Sequence, residues 1–290
     1  MRLALIERKV NTAAYSWSQW RSLSGTWSAL ASECPECSIF LTANWIETWL
    51  EVYGPHLNPS LLLFQSGEQT VGACLVSKGN SRSAMIPVQR ISLNATGEPP
   101  QDTTYSEFND VLCLEGWERE VALALAEYLA VGEWDELALD GFTNSPVYQS
   151  LLSAFDKLER EETWHPSYFV NLHQLRHLGQ SFEVSLGQKR RKHLRQNNRS
   201  FANHGPIEVQ TARTPTEAVS MFRELGAFNL LRRQSLGGEP IFASPMFLAF
   251  HSALITKHMQ DGVTQLLAVR AGERTIGLVY NLTQIGRAHV

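Results

Sequence analysis

The sequence predicts an α/β protein built from two similar lobes, each a mixed sheet flanked by helices, with the second lobe the shorter. Three observations carry this. A hairpin-like stretch occurs twice: residues 61–76 read LLLFQSGEQTVGACLV and residues 266–281 read LLAVRAGERTIGLVYN. A helical apolar pattern stopped by glycine precedes each copy. Between the copies, strand-like and helix-like runs alternate, the order that gives a sheet with helices on its faces.

The hairpins align on Gly67 and Gly272, which matches Glu68 with Glu273, Thr70 with Thr275, Val71 with Ile276 and Gly72 with Gly277. Each copy is an apolar run, a short Gly-Glu turn and a second apolar run, the signature of a β-hairpin. Gly72 and Gly277 fall inside the second strand, where glycine marks a bulge or a close backbone approach. Upstream, Ala43 to Tyr53 places Trp45, Ile46, Trp49, Leu50 and Tyr53 at helical spacing before Gly54. Pro245 to Met259 does the same with Phe247, Phe250, His251, Leu254 and Ile255 before Gly262. Both read as amphipathic helices.

After the first hairpin the pattern predicts a strand over 83–93, a polar loop over 94–106 and a strand over 108–114. A helix over 117–131, a strand over 134–139, a helix over 146–158 and a strand over 167–172 follow. The second copy opens with a helix near Ser181, then a strand over 207–211 and a helix over 216–225. The domains are therefore placed at 1–172 and 173–284. Residues 285–290, IGRAHV, read as the translation of a sequencing-library adapter. We expect the natural chain to continue past about Gln284 and the tail to complete no strand.

The chain has 290 residues, 43% hydrophobic and 19% charged, with net charge −4 and pI near 6.1. That balance argues against a protein that coats nucleic acid. No apolar run approaches the length of a membrane span, and Arg2, Glu7, Arg8 and Lys9 interrupt any signal-peptide core, so a cytoplasmic location is expected. Cys34 and Cys37 form a C-P-E-C pair. A zinc site would need two further ligands at motif spacing, so they read as reduced thiols in a loop and no metal is expected.

At the level of residues, the second half resembles the acyl-CoA N-acyltransferase (GNAT) superfamily, and within it the BioF2-like acetyltransferase domain. The resemblance rests on the basic run Ser185 to Arg199, on Arg232-Arg233-Gln234-Ser235 with Gly237 and Gly238, on Phe242, Phe247 and Phe250-His251, and on the closing stretch Leu266 to Tyr280. The tandem lobes are similar to the aminoacyl transferases of peptidoglycan cross-bridge synthesis. The resemblance implies transfer of an acyl group from acetyl-CoA or another acyl-CoA to an amino group, on a sugar or a cell-envelope or polysaccharide precursor. It also implies that backbone at Gly277 and Leu278 faces the thioester oxygen, with Tyr280 the one side chain nominated for catalysis, although a strand tyrosine filling core is the competing reading.

The donor's pyrophosphate would rest on a glycine-containing strand-to-helix loop. In the first lobe that junction is Cys113 to Glu118, where Glu115 and Glu118 bring the wrong charge. In the second lobe it is expected beyond Gln284, so the chain as given is expected to be inactive. Lys189, Arg190, Arg191 and Arg195, with Arg232 and Arg233, are nominated to bind an anionic substrate. Two other functions remain open: aminoacyl transfer from charged tRNA, and a non-catalytic module that binds an anionic ligand. His251, on an apolar helix face, reads as a core histidine.

Overall fold

The computed structural model describes residues 8–34, 37–83, 86–236, 240–284 and 287–289. The first unit runs β1 (Asn11–Ser16), α1 (Trp20–Glu33), α2 (Ala43–Leu57), β2 (Ser60–Ser66), β3 (Gln69–Ser83) and β4 (Ile86–Leu93), then β5 (Leu112–Cys113), α3 (Glu118–Ala130), β6 (Glu136–Ala138) and α4 (Pro146–Ala154). Its six-stranded sheet has the order β1–β2–β3–β4–β6, with β5 pairing β3 off that path. All pairs are antiparallel except β4 with β6. Three helices follow, the short α5 (Leu172–His177) and α6 (Phe182–Ser185) and the longer α7 (Gln188–Ala202). The second unit is β7 (Ile207–Thr211), α8 (Pro215–Leu236), α9 (Pro245–His258), β8 (Thr264–Ala271), β9 (Arg274–Gln284) and β10 (Arg287–His289), an antiparallel sheet in the order β10–β9–β8–β7.

The repeat is larger than the hairpin. Strand, helix, helix and hairpin recur as β1–α1–α2–β2–β3 and β7–α8–α9–β8–β9. Even the irregularity is shared. The register slips between Phe64 and Gln65 in one hairpin and between Val269 and Arg270 in the other, and these are aligned positions. In both, the slip sets a glycine, Gly72 or Gly277, opposite the residue before the bulge. The turn glycines Gly67 and Gly272 hold left-handed φ of 60° and 61°, a conformation that glycine adopts without steric cost.

Each sheet buries one face against its own two helices. Leu61, Leu63, Ala73 and Leu75 pack on Trp45, Ile46 and Trp49, while Leu266 and Ala268 pack on Phe222, Phe247 and Ile255. Helices α2 and α9 then pack on each other. Trp45 and Phe250, aligned positions in the repeat, meet edge-to-face at 4.8 Å between ring centroids. Lys257 bridges to Glu51, and the Ser244 hydroxyl donates to Asp102 Oδ1 at 2.6 Å. The two lobes therefore share one core at their helical faces.

Several elements differ from expectation. Strand β1 and helix α1 lie outside the predicted elements; Trp20, Trp27 and Leu30 are buried on α1, and Trp27 Nε1 donates to the Leu41 carbonyl at 2.8 Å. Helix α2 runs through Gly54, whose absent side chain makes room for the Trp17 ring, and ends at Asn58 in the left-handed region. The strand expected over 108–114 shrinks to Leu112–Cys113, because Tyr105 and Phe108 have positive φ and side chains replace the ladder. Asn94 donates to the Asn109 side chain and the Asp110 carbonyl, and Asp110 Oδ1 accepts the Val111 N–H. No strand forms over 167–172, since Asn171 caps α5 through Gln174 N–H. The tail also departs from expectation: Arg287 to His289 pair with Gln284 to Leu282. Ile285, Gly286 and Val290 lie outside the described residues.

Candidate functional site

The second strand of the hairpin has the same backbone in both lobes and different surroundings. In the first lobe a Cβ on Gly72 would stand 2.9 Å from Val121 Cγ2 and 3.0 Å from the Leu112 carbonyl oxygen. Helix α3 presses on that face, burying Leu62, Phe64, Cys74 and Val76 against Val121, Leu125 and Leu129. Strand β5 occupies the adjoining edge, with Gly72 opposite Cys113 and the Leu114 N–H on the Val71 carbonyl at 2.9 Å. In the second lobe a Cβ on Gly277 would meet nothing within 4 Å. The aligned residues Leu267, Val269, Val279 and Asn281 are half-exposed, and among the described residues no strand pairs with the outer edge of β9 at Gly277 and Leu278. The backbone there is open to a ligand.

On the opposite face of β9, the half-buried Tyr280 turns inward. Its hydroxyl lies 3.1 Å from His251 Nδ1, and its ring packs edge-on to Phe222 at 5.4 Å. His251 sits among Trp45, Phe222, Phe247 and Phe250. Burial in this aromatic box lowers its pKa to about 3 and raises that of the Tyr280 phenol, because neither charge would be solvated. At neutral pH both groups are uncharged and share one hydrogen bond, while His251 Nε2 finds no partner. Tyr280 thus lies behind the open edge rather than on it, joined to the core.

Comparison with known families now bears on this lobe. Residues 188–290 match an acetyltransferase (GNAT) domain. Comparison with the curated proteins and with the solved structures returned no match. The matched region begins at α7 and takes in the whole second sheet. A GNAT domain implies an acyl-CoA donor and suggests an acyltransferase.

The nominated cations all fall within the matched residues, four at their start and two midway. Lys189, Arg190 and Arg195 on α7 are exposed and Arg191 is half-buried. Arg232 and Arg233 are exposed near the end of α8, and the neighbouring Gly237 and Gly238 lie outside the described residues. Among the described residues no ion pair joins any of these six to an acid. Of the acidic residues near 160, Glu162 pairs with Arg160 and accepts from the Tyr148 hydroxyl and Trp164 Nε1.

The first lobe's strand-to-helix junction is filled by its own side chains. Gly116, at φ 80°, donates its N–H to Glu118 Oε1 at 3.0 Å. Arg8 covers the other side, over the Trp117 ring at 4.7 Å with Nη1 on the Gly116 carbonyl. A carboxylate already occupies the place an anion would take at this helix start. Nearby, Cys34 donates to the Cys113 carbonyl at 3.1 Å, and burial pushes both thiols above their ordinary range. Two buried carboxyls were not singled out from the sequence. Glu98 accepts from Thr104 and Trp49, and desolvation raises Asp110 to about 6. No motif marks either; only the polar loop around them is visible in the sequence.

Proposed function

We propose that the second lobe transfers an acyl group from acyl-CoA to the amino group of an acceptor bearing anionic groups, such as a sugar or cell-envelope precursor. The observation that carries this reading is the open β9 edge at Gly277 and Leu278 inside the region that matches a GNAT domain. Backbone N–H groups on a free strand edge are preorganised donors. Aimed at a thioester carbonyl, they stabilise the oxygen that becomes negative as the amine attacks. The amine nitrogen bonds to the carbonyl carbon, the carbon–sulfur bond breaks, and the CoA thiolate leaves while the amine gives up a proton. The cations of α7 and the α8 terminus supply attraction for a phosphate or carboxylate on the acceptor.

Titration of acetyl-CoA into the full chain tests the reading, and binding would also overturn the expectation that the donor's contacts lie past Gln284. Gly277→Val sets a branched side chain beside the open edge, at a position where a Cβ meets nothing within 4 Å. It is expected to abolish acetyl-CoA binding while leaving the unfolding transition in place. Equal binding by the native chain and the variant would refute the assignment of the edge. Binding of charged tRNA in the absence of acetyl-CoA binding would select aminoacyl transfer instead.

A further inference from the structure

From Asp156 to Thr211 no residue is buried, although α5, α6, α7 and β7 all lie in this span. Its sequence is not that of a solvated linker. Tyr168 is 90% exposed and Phe169 84%; Phe182 and Val184 on α6 are about half exposed. Apolar groups of this size, adjacent in the chain and uncovered, mark a surface that something else covers. Immediately after them comes α7, which carries cations on most of its circumference and no acid. Its two large apolar residues, Leu194 and Phe201, stand seven positions apart and so share one side, with Arg190 and Arg191 flanking it.

Three partners could be considered for such a surface. A folded protein would cover the apolar groups, but nothing in the structure supplies its counter-charges. A nucleic acid would take the cations and stack on the rings, yet Leu172, Leu178 and Val184, also exposed, have no face for a base to stack on. An anionic bilayer satisfies both sets at once: the acyl boundary takes aromatic and aliphatic groups alike, and the headgroup layer takes the cations. Arginines beside a narrow apolar stripe suit that boundary, because their stems lie along it while the guanidinium groups reach the headgroups.

We propose that residues 164–201 dock on an anionic lipid surface. The inference rests on this exposed span and not on the acyl-transfer reading, so vesicle binding and acetyl-CoA binding succeed or fail separately.

The test is sedimentation of the full chain with vesicles of phosphatidylcholine alone and of phosphatidylcholine mixed equally with phosphatidylglycerol. Binding to the mixed vesicles, weakened by salt, is expected, with little binding to the neutral ones. The combined variant Arg190→Gln, Lys192→Gln, Arg195→Gln should lower partitioning by on the order of a hundredfold, from about fivefold for each cation lost. Tyr168→Ser with Phe169→Ser should lower it while leaving the salt dependence unchanged. All five positions are exposed, so the unfolding transition of each variant should match that of the native chain. Equal binding to neutral vesicles, absence of binding to mixed ones, or capture of single-stranded RNA under conditions where vesicles are not bound would each overturn the proposal.

Discussion

Alanine at Gly72 and at Gly277 provides a paired experiment, because the backbone is the same at the two positions and only the surroundings differ. At Gly72 the added methyl would meet Val121 Cγ2 at 2.9 Å and the Leu112 carbonyl at 3.0 Å. Neither neighbour can easily give way: Val121 is fully buried and Leu112 is backbone held in the ladder. Overpacking of this kind costs about 1–3 kcal/mol. At Gly277 the methyl meets nothing within 4 Å, and φ there is not in the left-handed region. The remaining effect is the smaller conformational freedom of the unfolded chain, which stabilises by about 0.4–1 kcal/mol. Each kcal/mol moves Tm by roughly 2–4 °C for a domain of this size range. Differential scanning calorimetry should therefore show Gly72→Ala melting several degrees below the native chain and Gly277→Ala melting at or slightly above it. Equal destabilisation by both would mean that the outer face of the second sheet is covered, and the open-edge argument would fall.

Three further outcomes follow from the same geometry. His251 is neutral in the fold, with its pKa at about 3 against about 6.5 unfolded. Since the unfolded chain binds the extra proton, stability from this group is intact above the unfolded value and is lost as pH falls toward the folded one, by roughly 2 kcal/mol at pH 5. Asp110, raised to about 6, has the opposite sign, so the measurement is the difference in Tm against pH between the native chain and His251→Phe/Tyr280→Phe, which should lose the His251 slope alone. Trp45→Ala removes a ring fully buried between Phe40 and Phe250 and should cost about 3–5 kcal/mol, with calorimetry showing the lobes melting apart rather than together. Glu118→Gln should leave acetyl-CoA affinity unchanged, since the first-lobe junction is assigned no donor; a lost or gained affinity would reverse that assignment.

The hairpins were legible because a turn glycine, a mid-strand glycine and the apolar runs recur at fixed spacing, and local patterns of that kind survive in any context. Helices α2 and α9 were legible from periodicity for the same reason. Helix α1 was not, since Trp17, Trp20 and Trp27 are parted by serines and glycine that obscure its buried stripe. The apolar pattern over 108–114 predicts a full strand where only the short β5 forms. Its sequence is largely apolar, but Asn94, Asn109 and Asp110 take backbone groups that a longer ladder would use, and Asn94 reaches this segment only through the fold. The site was legible only in part. Gly277 stands out by its repeat, whereas the fact that β5 and α3 close the equivalent position in the first lobe is tertiary information.

Duplicated units usually diverge on the surface and keep their cores, and here the divergence is of one particular kind. The inner faces of the two sheets, the bulge and both glycines agree. What differs is what each unit sets against its second hairpin strand. In the first lobe a strand edge is filled by β5, a face is covered by α3, and the helix start is taken by Glu118. Each of these satisfies, from within the chain, a group that could otherwise bind a ligand. Gly72 remains a glycine there because α3 leaves no room for a side chain. Gly277 has no such packing reason, since nothing stands near it. On the function proposed above, a glycine that packing does not require, at a stretch of edge that no strand among the described residues fills, leaves the backbone free for an acyl thioester to approach.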